Sequence, residues 1–557
     1  MNEGEIDLSI PPLARLARYL TSESQDHRIH CTECVIEAAS CSRLDDVHAR
    51  LLPAVEALLN DEDEEVADTM LMMLPDFADT IFEYFPDFAP AFLAQNIIPL
   101  VHALISNESE QYAESYASLA IKLAPEYFTD LEVPFLKSIA HDDEEGVRLI
   151  ASAIVLYLVE HIDPSIWFSG LLEIITTFTS DSSDEVRVKT PPLIALYTKE
   201  LQSQKEKMQL SGKFSLFVRD TCPEVRTAAA ESLVTLCMAL DPSSKIIIVI
   251  PATKLLLNDQ NEETRDCVSK NLGPLVAELG RLADRSLVSQ YCTALCSTDP
   301  NIAFASAYSF PAVILGIGKE RKNEVATAFD EASSSREFRV RRTLAYGLMS
   351  FAHLLEKDYL VENAINFLRD IPAVSIGIIE SLDRFLEMVP ERSSEFFFCL
   401  QEPQRYPEWR VRLKVSEQCR LCAKFYKREE LLLVAEQLAV DEVWAVRKDA
   451  AKSVALHIQK SDISFLEKLS ESRMYYERQE AALIISLIEQ KWVSECTKII
   501  ERLSSDQVAN VRIMAANAAR VLKHKVLVSL TLMRAIKRLK GDNDVDVIFS
   551  IGKADAP

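Results

Sequence analysis

Glycine is scarce in this chain, occurring 12 times in 557 residues. Folds that rely on strand bulges, tight reversals or phosphate-cradling loops need it more often, because only glycine enters positive φ without strain. No stretch of useful length alternates apolar with polar residues, so strands are not expected. Long apolar runs are also missing. Ile246–Leu257 is interrupted by Pro251 and Lys254 and falls well short of the ~20 residues that cross a bilayer, so no membrane partner is expected. There is no Gly/Ser linker and no low-complexity segment, which predicts one architecture over residues 1–557. The opening MNEGEIDLSI lacks the basic start and apolar core of a signal peptide. The expected setting is intracellular, cytoplasmic with the nucleus also open.

Catalytic motifs are absent as well. There is no GxxxxGK(S/T), no GxSxG and no HExxH; Gly212-Lys213 and Gly316-Ile-Gly318 are fragments only. The nine histidines are scattered. The acids of Asp61-Glu-Asp-Glu-Glu65 and Asp142-Asp-Glu-Glu145 lack the central glycine and alternating ligands of a calcium loop. Cys31/Cys34 and Cys419/Cys422 have CxxC spacing, but residues three apart share a helix face, so both pairs read as core. No enzyme activity, cofactor, metal or small-molecule substrate is expected. With a net charge of −25, nucleic acid would be repelled.

What the chain does have is a ruler. Asp142 precedes Arg148 by six residues, and Asp181/Arg187, Asp220/Arg226, Asp259/Arg265, Asp441/Arg447 and Asp506/Arg512 repeat the step. Arginines 148, 187, 226 and 265 are each 39 residues apart. A proline often lies eight residues before the acid position, as in Pro53/Asp61, Pro134/Asp142 and Pro251/Asp259, with Pro99/Asn107 a variant. A fixed period near ~40 means one small unit stacked many times. Within residues 245–275 the unit reads as two amphipathic helices. Ile246 to Leu257 form the first, Asn258-Asp259-Gln260-Asn261 the turn, and Val268, Leu272 and Leu275 the apolar stripe of the second. The acid sits near a helix start, where it can take free N–H groups. The arginine can reach the acid of the next unit and make a ladder, and the proline should bend the first helix.

Fifteen units follow by the ruler's arginine place: Arg28, Ala67, Ala113, Arg148, Arg187, Arg226, Arg265, Ala305, Arg341, Ile376, Arg412, Arg447, Arg478, Arg512 and Ile548. The fold class expected is all-α, an α-solenoid of stacked hairpins in which each unit touches only its neighbours.

Charge is uneven along this ruler. Residues 1–147 carry a net −23, and residues 473–540 a net +7, with Lys523, Lys525, Arg534, Lys537, Arg538 and Lys540 clustered. The two ends should therefore attract different partners. The turns also change character from the eleventh unit. They read Tyr406-Pro-Glu-Trp409-Arg410-Val-Arg412, Asp441-Glu-Val-Trp444-Ala-Val-Arg447, Ser472-Arg-Met-Tyr475-Tyr476-Glu-Arg478 and Asp506-Gln-Val508-Ala509-Asn510-Val-Arg512. An aromatic at one place in three successive turns either fills gaps between units or forms a protein-binding ridge. Trp, Tyr and Arg dominate interface energies, which favours the ridge.

EWRVRL at 408–413, DEVWAVRKDA at 441–450, DQVANVRI at 506–513 and DNDVDV at 542–547 resemble the last five HEAT repeats of the scaffold (A) subunit of type 2A protein phosphatase. The resemblance implies a curved horseshoe of about 15 HEAT repeats with no activity of its own. It implies that repeats in 401–557 hold a Ser/Thr phosphatase catalytic subunit, and that repeats in 1–400 hold a regulatory B-type subunit. Carried over, Trp409 and Arg410 match the pair of the eleventh repeat that touches the catalytic subunit, and Trp444 an aromatic place in the twelfth. Tyr475, Tyr476 and Arg478 match the thirteenth loosely; Val508, Ala509, Asn510 and Arg512 match the fourteenth well. The family's aromatic turns of the fourth and seventh repeats are replaced here by Asp143-Glu-Glu-Gly146 and Asn261-Glu-Glu-Thr-Arg265. The alternative is a nuclear transport receptor of the importin-β kind, an acidic stack that binds basic cargo and a small GTPase.

Overall fold

The computed structural model describes residues 6–105, 111–162, 167–489, 491–525 and 529–552. Among the described residues there is no strand. Helices follow one another in pairs, and each of the fifteen ruler positions falls in the second helix of a pair, from Gln25–Cys41 in the first unit to Val545–Gly552 in the last. The fold is an α-solenoid of HEAT-type hairpins. Two compact units are distinguished, Met1–Ala294 with Gly316–Gly318, and Leu295–Leu315 with Lys319–Pro557.

In the first compact unit the arginine ladder is present at four ruler arginines, while Arg265 bonds the Asp259 and Gln260 carbonyls of its own turn and makes no rung among the described residues. Arg28 pairs with Asp61, Arg148 with Asp181, Arg187 with Asp220 and Arg226 with Asp259, at 2.7–2.8 Å. Each arginine does two jobs. In Arg226, Nε and Nη2 grip the Asp259 carboxylate at 2.7 and 2.9 Å, while Nη1 donates to the Asp220 and Thr221 carbonyls of its own turn at 2.8 and 3.2 Å. Asp259 in turn accepts the Asn261 N–H at 2.9 Å. The acid therefore folds its own turn, and the N-cap role passes to Asn261, whose side chain accepts from the Thr264 N–H. The run Asp61–Glu65 is used the same way: Asp61 is the ladder partner of Arg28, and Asp63 caps Glu64–Tyr84.

The prolines bend the first helices, and the device is identical four times. Val47–Leu51, Leu93–Ile97, Phe128–Glu132 and Lys245–Val249 are single π-turns. Two residues after each π-turn comes Pro53, Pro99, Pro134 or Pro251, the second residue of the α-segment that resumes the helix. A proline ring crowds the carbonyl four residues back and has no N–H to bond it. Widening one turn relieves both problems at the cost of a kink. Gly280, at φ 54°, closes Glu262–Leu279 in a conformation that favours glycine.

In the second compact unit the same ladder runs through Arg341–Asp370, Arg412–Asp441, Arg478–Asp506 and Arg512–Asp542 at 2.6–2.7 Å. Second helices pack on second helices, as Trp409–Leu421 does on Trp444–His457 and Tyr475–Leu487 on Ala509–Lys525. Contact is close enough that a Cβ on Gly377 would lie 2.9 Å from the Tyr346 backbone nitrogen. One sequence expectation is corrected here. The chain does hold a longer helix with no charged residue: Pro300–Ile317 has 18 residues, a mean hydropathy of 1.4 and half its length buried. Its apolar character is all-round, which periodicity within a repeat conceals.

The four CxxC thiols are buried. Burial pushes Cys31 up to about 12, Cys34 up to about 11 and Cys419 up to about 12, with Cys422 raised further.

Candidate protein-docking site

The aromatic residues singled out by sequence share one structural address. Trp409, Trp444 and Tyr475 are each the first residue of a second helix, in Trp409–Leu421, Trp444–His457 and Tyr475–Leu487. The preceding residues, Glu408, Val443 and Met474, are extended and make no side-chain cap. The chain thus enters each helix straight from the turn, and the first helical side chain projects at its rim. Ala509 holds that address in the fourteenth unit.

None of the three rings is interred. Trp409 is half-buried, Trp444 is 43% exposed and Tyr475 49% exposed. An arginine braces each tryptophan. The Arg410 guanidinium lies 4.8 Å from the Trp409 ring centre, and Arg447 lies 5.6 Å from that of Trp444. Tyr475 meets Tyr476 edge-on at 5.9 Å. A guanidinium placed over a ring restricts it, which reduces the ordering cost of binding.

Arg478 and Arg512, grouped with the docking residues from sequence, are committed to the ladder. Arg478 holds Asp506 at 2.6 and 2.9 Å and the Ser472 and Arg473 carbonyls at 3.0 and 3.1 Å. Arg512 holds Asp542 at 2.7 and 2.9 Å and the Asp506 and Gln507 carbonyls at 2.9 and 3.2 Å. They shape the turns that carry Tyr475 and Ala509. Burial pushes the Asp506 carboxyl up, but bonds from Arg478 and the Val508 N–H outweigh it and leave the group below its ordinary range. Val508 and Ala509 are half-buried and Asn510 is exposed, so the fourteenth unit offers a flatter rim than the three before it.

The ladder breaks at Arg447. The thirteenth turn opens with Ser472, not an acid. Arg447 still bonds the Asp441 and Glu442 carbonyls at 2.7 and 2.9 Å, but its guanidinium turns to the Tyr476 ring at 4.7 Å. Its Nε meets no acceptor. Beneath lies Glu480, fully buried, with neither carboxylate oxygen meeting a donor. Burial pushes this carboxyl well above its ordinary value, and Arg447 offsets only part of that.

Two residues at the same address escaped the sequence reading. Phe338, first in Phe338–Phe351, is 41% exposed, and Val545, first in Val545–Gly552, is 76% exposed. Their signal was available: each lies three residues before its ruler position, at Arg341 and Ile548. In the first seven units that address is held by Gln25, Glu64, Gln111, Glu145, Asp184, Pro223 and Glu262. The apolar ridge therefore belongs to the later units only. At the C-terminal end, Arg534 pairs with Glu501 at 3.3 Å, and Arg538 reaches Ser504 at 3.1 Å. The Lys525 side chain lies outside the described residues.

No family model matches the chain. It is 28% identical to serine/threonine-protein phosphatase 4 regulatory subunit 1 of Homo sapiens over 196 residues, which is 32% of this chain and 20% of that protein. The Mus musculus and Rattus norvegicus proteins of the same name match equally. The match spans about a fifth of the length of these curated relatives. Among solved structures, Kap95p, in a complex with RanGDP, superposes with a TM-score of 0.57 at 12% identity, covering 94% of this chain and 75% of that one. A Kap121p mutant superposes at 0.56 and 12% identity, covering 97% of this chain and 66% of that one. At such identity the likeness is one of fold.

Proposed function

We propose that this chain is a non-catalytic scaffold of a Ser/Thr protein phosphatase. Its later units, 401–557, hold the catalytic subunit through Trp409, Arg410, Trp444, Tyr475 and Tyr476, with Val508, Ala509 and Asn510 at the edge of the contact. Its earlier units hold a second, specificity-giving partner of the B-type regulatory class. The observation that carries the reading is the row of partly exposed aromatics at one address in three successive units, two of them beside a guanidinium. Sequence similarity to a phosphatase regulatory subunit supports it. The chemistry would reside in the partner. The scaffold's contribution would be positional, raising the local concentration of enzyme and specificity subunit on one frame.

The test is affinity capture of the tagged chain with identification of what it brings. A Ser/Thr phosphatase catalytic subunit is expected, and Trp409→Ala should weaken its binding by about 2 kcal/mol, roughly 30-fold in Kd. Full binding by that variant would refute the ridge. A second reading, an importin-β-like transport receptor, is favoured by the superposition on Kap95p and by the net −23 of residues 1–147. Capture of a small GTPase in place of a phosphatase would select it.

A further inference from the structure

The second helices of the eighth and ninth units, Pro300–Ile317 and Phe338–Phe351, leave a face to solvent unlike that of the helices before them. In the sixth and seventh units the exposed positions of those helices hold Glu224, Glu231, Glu262, Glu263 and Lys270, with Met238 the one apolar residue among them. Pro300–Ile317 carries no charged residue at all. It exposes Phe304 at 38%, Tyr308 at 75% and Leu315 at 45%, all on one side of the helix. Phe338–Phe351 exposes Phe338 at 41% and Tyr346 at 40%. Two guanidinium groups lie over these rings: Arg339 is 5.7 Å from the Phe304 ring centre and so bridges the two helices, and Arg342 is 5.6 Å from that of Tyr346.

The charge of this face is the reverse of the whole molecule's. From 336 to 346 the chain has four arginines and one acid, within a protein of net charge −25. Arg341 is spent on Asp370 in the ladder, and Glu337 is shared with Arg339 at 3.2 Å. Arg342 hydrogen-bonds no carboxylate among the described residues. An arginine whose flat face rests on a ring still presents its N–H edge to a carboxylate. Rings and guanidinium groups interleaved in this way match a ligand that carries both apolar side chains and negative charge.

We infer that this two-helix face docks an acidic, aromatic-bearing peptide segment of a partner protein. Partner rings would lie among Phe304, Tyr308 and Tyr346, and partner carboxylates would meet the edges of Arg342 and Arg339. This site does not depend on the phosphatase reading of units 11–15.

The experiment uses the full chain and a fluorescein-labelled random copolymer of glutamate and tyrosine, followed by anisotropy at physiological ionic strength. Polyglutamate of equal length and phosphatidylserine vesicles serve as the other arms. The copolymer should bind about tenfold more tightly than polyglutamate. Tyr308→Ser and Arg342→Glu should each weaken it by about fivefold or more, with unchanged circular dichroism. Lys537→Glu with Lys540→Glu, in the C-terminal basic cluster, should leave it within about twofold. Equal binding of the two polymers, an unaltered Tyr308→Ser variant, or loss in the Lys537/Lys540 variant would overturn the inference. So would vesicle binding that needs Tyr308 in the absence of copolymer binding, since that would make the face a lipid contact.

Discussion

The Arg226–Asp259 rung lets the ladder be tested as a set of cooperative links rather than as surface ion pairs. Surface pairs contribute about 0–1 kcal/mol. This pair differs: the Arg226 and Asp259 side chains are 14% and 8% exposed, and the grip is bidentate. Arg226→Ala would strand a nearly buried carboxylate and two turn carbonyls, a loss of about 3–4 kcal/mol. Asp259→Ala would strand the guanidinium and the Asn261 N–H, at about the same cost. The double variant leaves no stranded charge, only unpaired turn groups, and should cost about 4–5 kcal/mol, well below the sum, so the coupling is about 2–3 kcal/mol. A stack of units does not unfold as one two-state body, so the reading should be local. Hydrogen exchange of amides in Pro223–Ala239 and Glu262–Leu279 should rise about 150- to 700-fold in each single variant, since each ~1.4 kcal/mol is a factor of ten. The pH dependence follows from the same bond. The hydrogen bond from Arg226 holds the Asp259 carboxyl below its ordinary value. A depressed carboxyl stabilises the fold above the unfolded-state pKa of about 3.9 and loses that contribution as pH falls through the native value. Wild-type protection should therefore fall in acid more steeply than that of the Arg226→Ala variant. Single-variant costs that simply add in the double variant would refute the cooperative rung.

Two further outcomes are expected. Glu480 is the opposite titration case: its pKa is raised by burial, so its contribution is intact below the unfolded carboxyl range and is lost as pH climbs toward the native value. Glu480→Gln should slow local hydrogen exchange in Tyr475–Leu487 by about tenfold at pH 8, with the gain shrinking toward pH 5. Gly377→Ala places a methyl 2.9 Å from the Tyr346 nitrogen and 3.1 Å from the Ala345 carbonyl carbon. Because those neighbours are backbone, hydrogen exchange of amides in Pro372–Ile379 should report a local loss of about 2 kcal/mol, and a neutral effect would mean the two helices can part.

The repeat was legible because its marker is covalent spacing. An arginine that must bond carbonyls five and six residues behind it, and a carboxylate in the next hairpin, cannot drift along the chain without losing both. The π-turns were legible only as bends: Pro53, Pro99, Pro134 and Pro251 announce a kink, but not that the helix widens to accommodate it. The aromatic ridge was partly legible. Trp409, Trp444 and Tyr475 stand out by residue type, whereas Phe338 and Val545 share the address without the same rarity. Arg478 and Arg512 were assigned to the rim by resemblance, yet their guanidinium groups point into the stack. Which way an arginine turns depends on the acid brought beside it by packing, and that acid lies 28–30 residues away.

Arg447 makes the same point from the other side. It has the ruler position, the helix and the turn carbonyls of its ladder counterparts, and differs in what the next unit presents. Where Arg412 finds Asp441 and Arg478 finds Asp506, Arg447 finds Ser472 at the turn and the Tyr476 ring beside it. A lost carboxylate thus becomes a ring brace. One guanidinium now lies near Trp444 of its own unit and Tyr476 of the next, at 5.6 and 4.7 Å. A bidentate ion pair fixes two hairpins at a set distance and angle, while a ring face tolerates sliding. The twelfth and thirteenth hairpins are therefore joined by the softer kind of link in the middle of the aromatic ridge. Arg428–Asp462, at 2.7 Å, still ties their first helices, so rotation about that tie would move Trp444 relative to Tyr475 without breaking a ladder rung. Under the proposed docking the rim would adjust there, while the stiff rungs at Arg412 and Arg478 would keep the flanking turns in place.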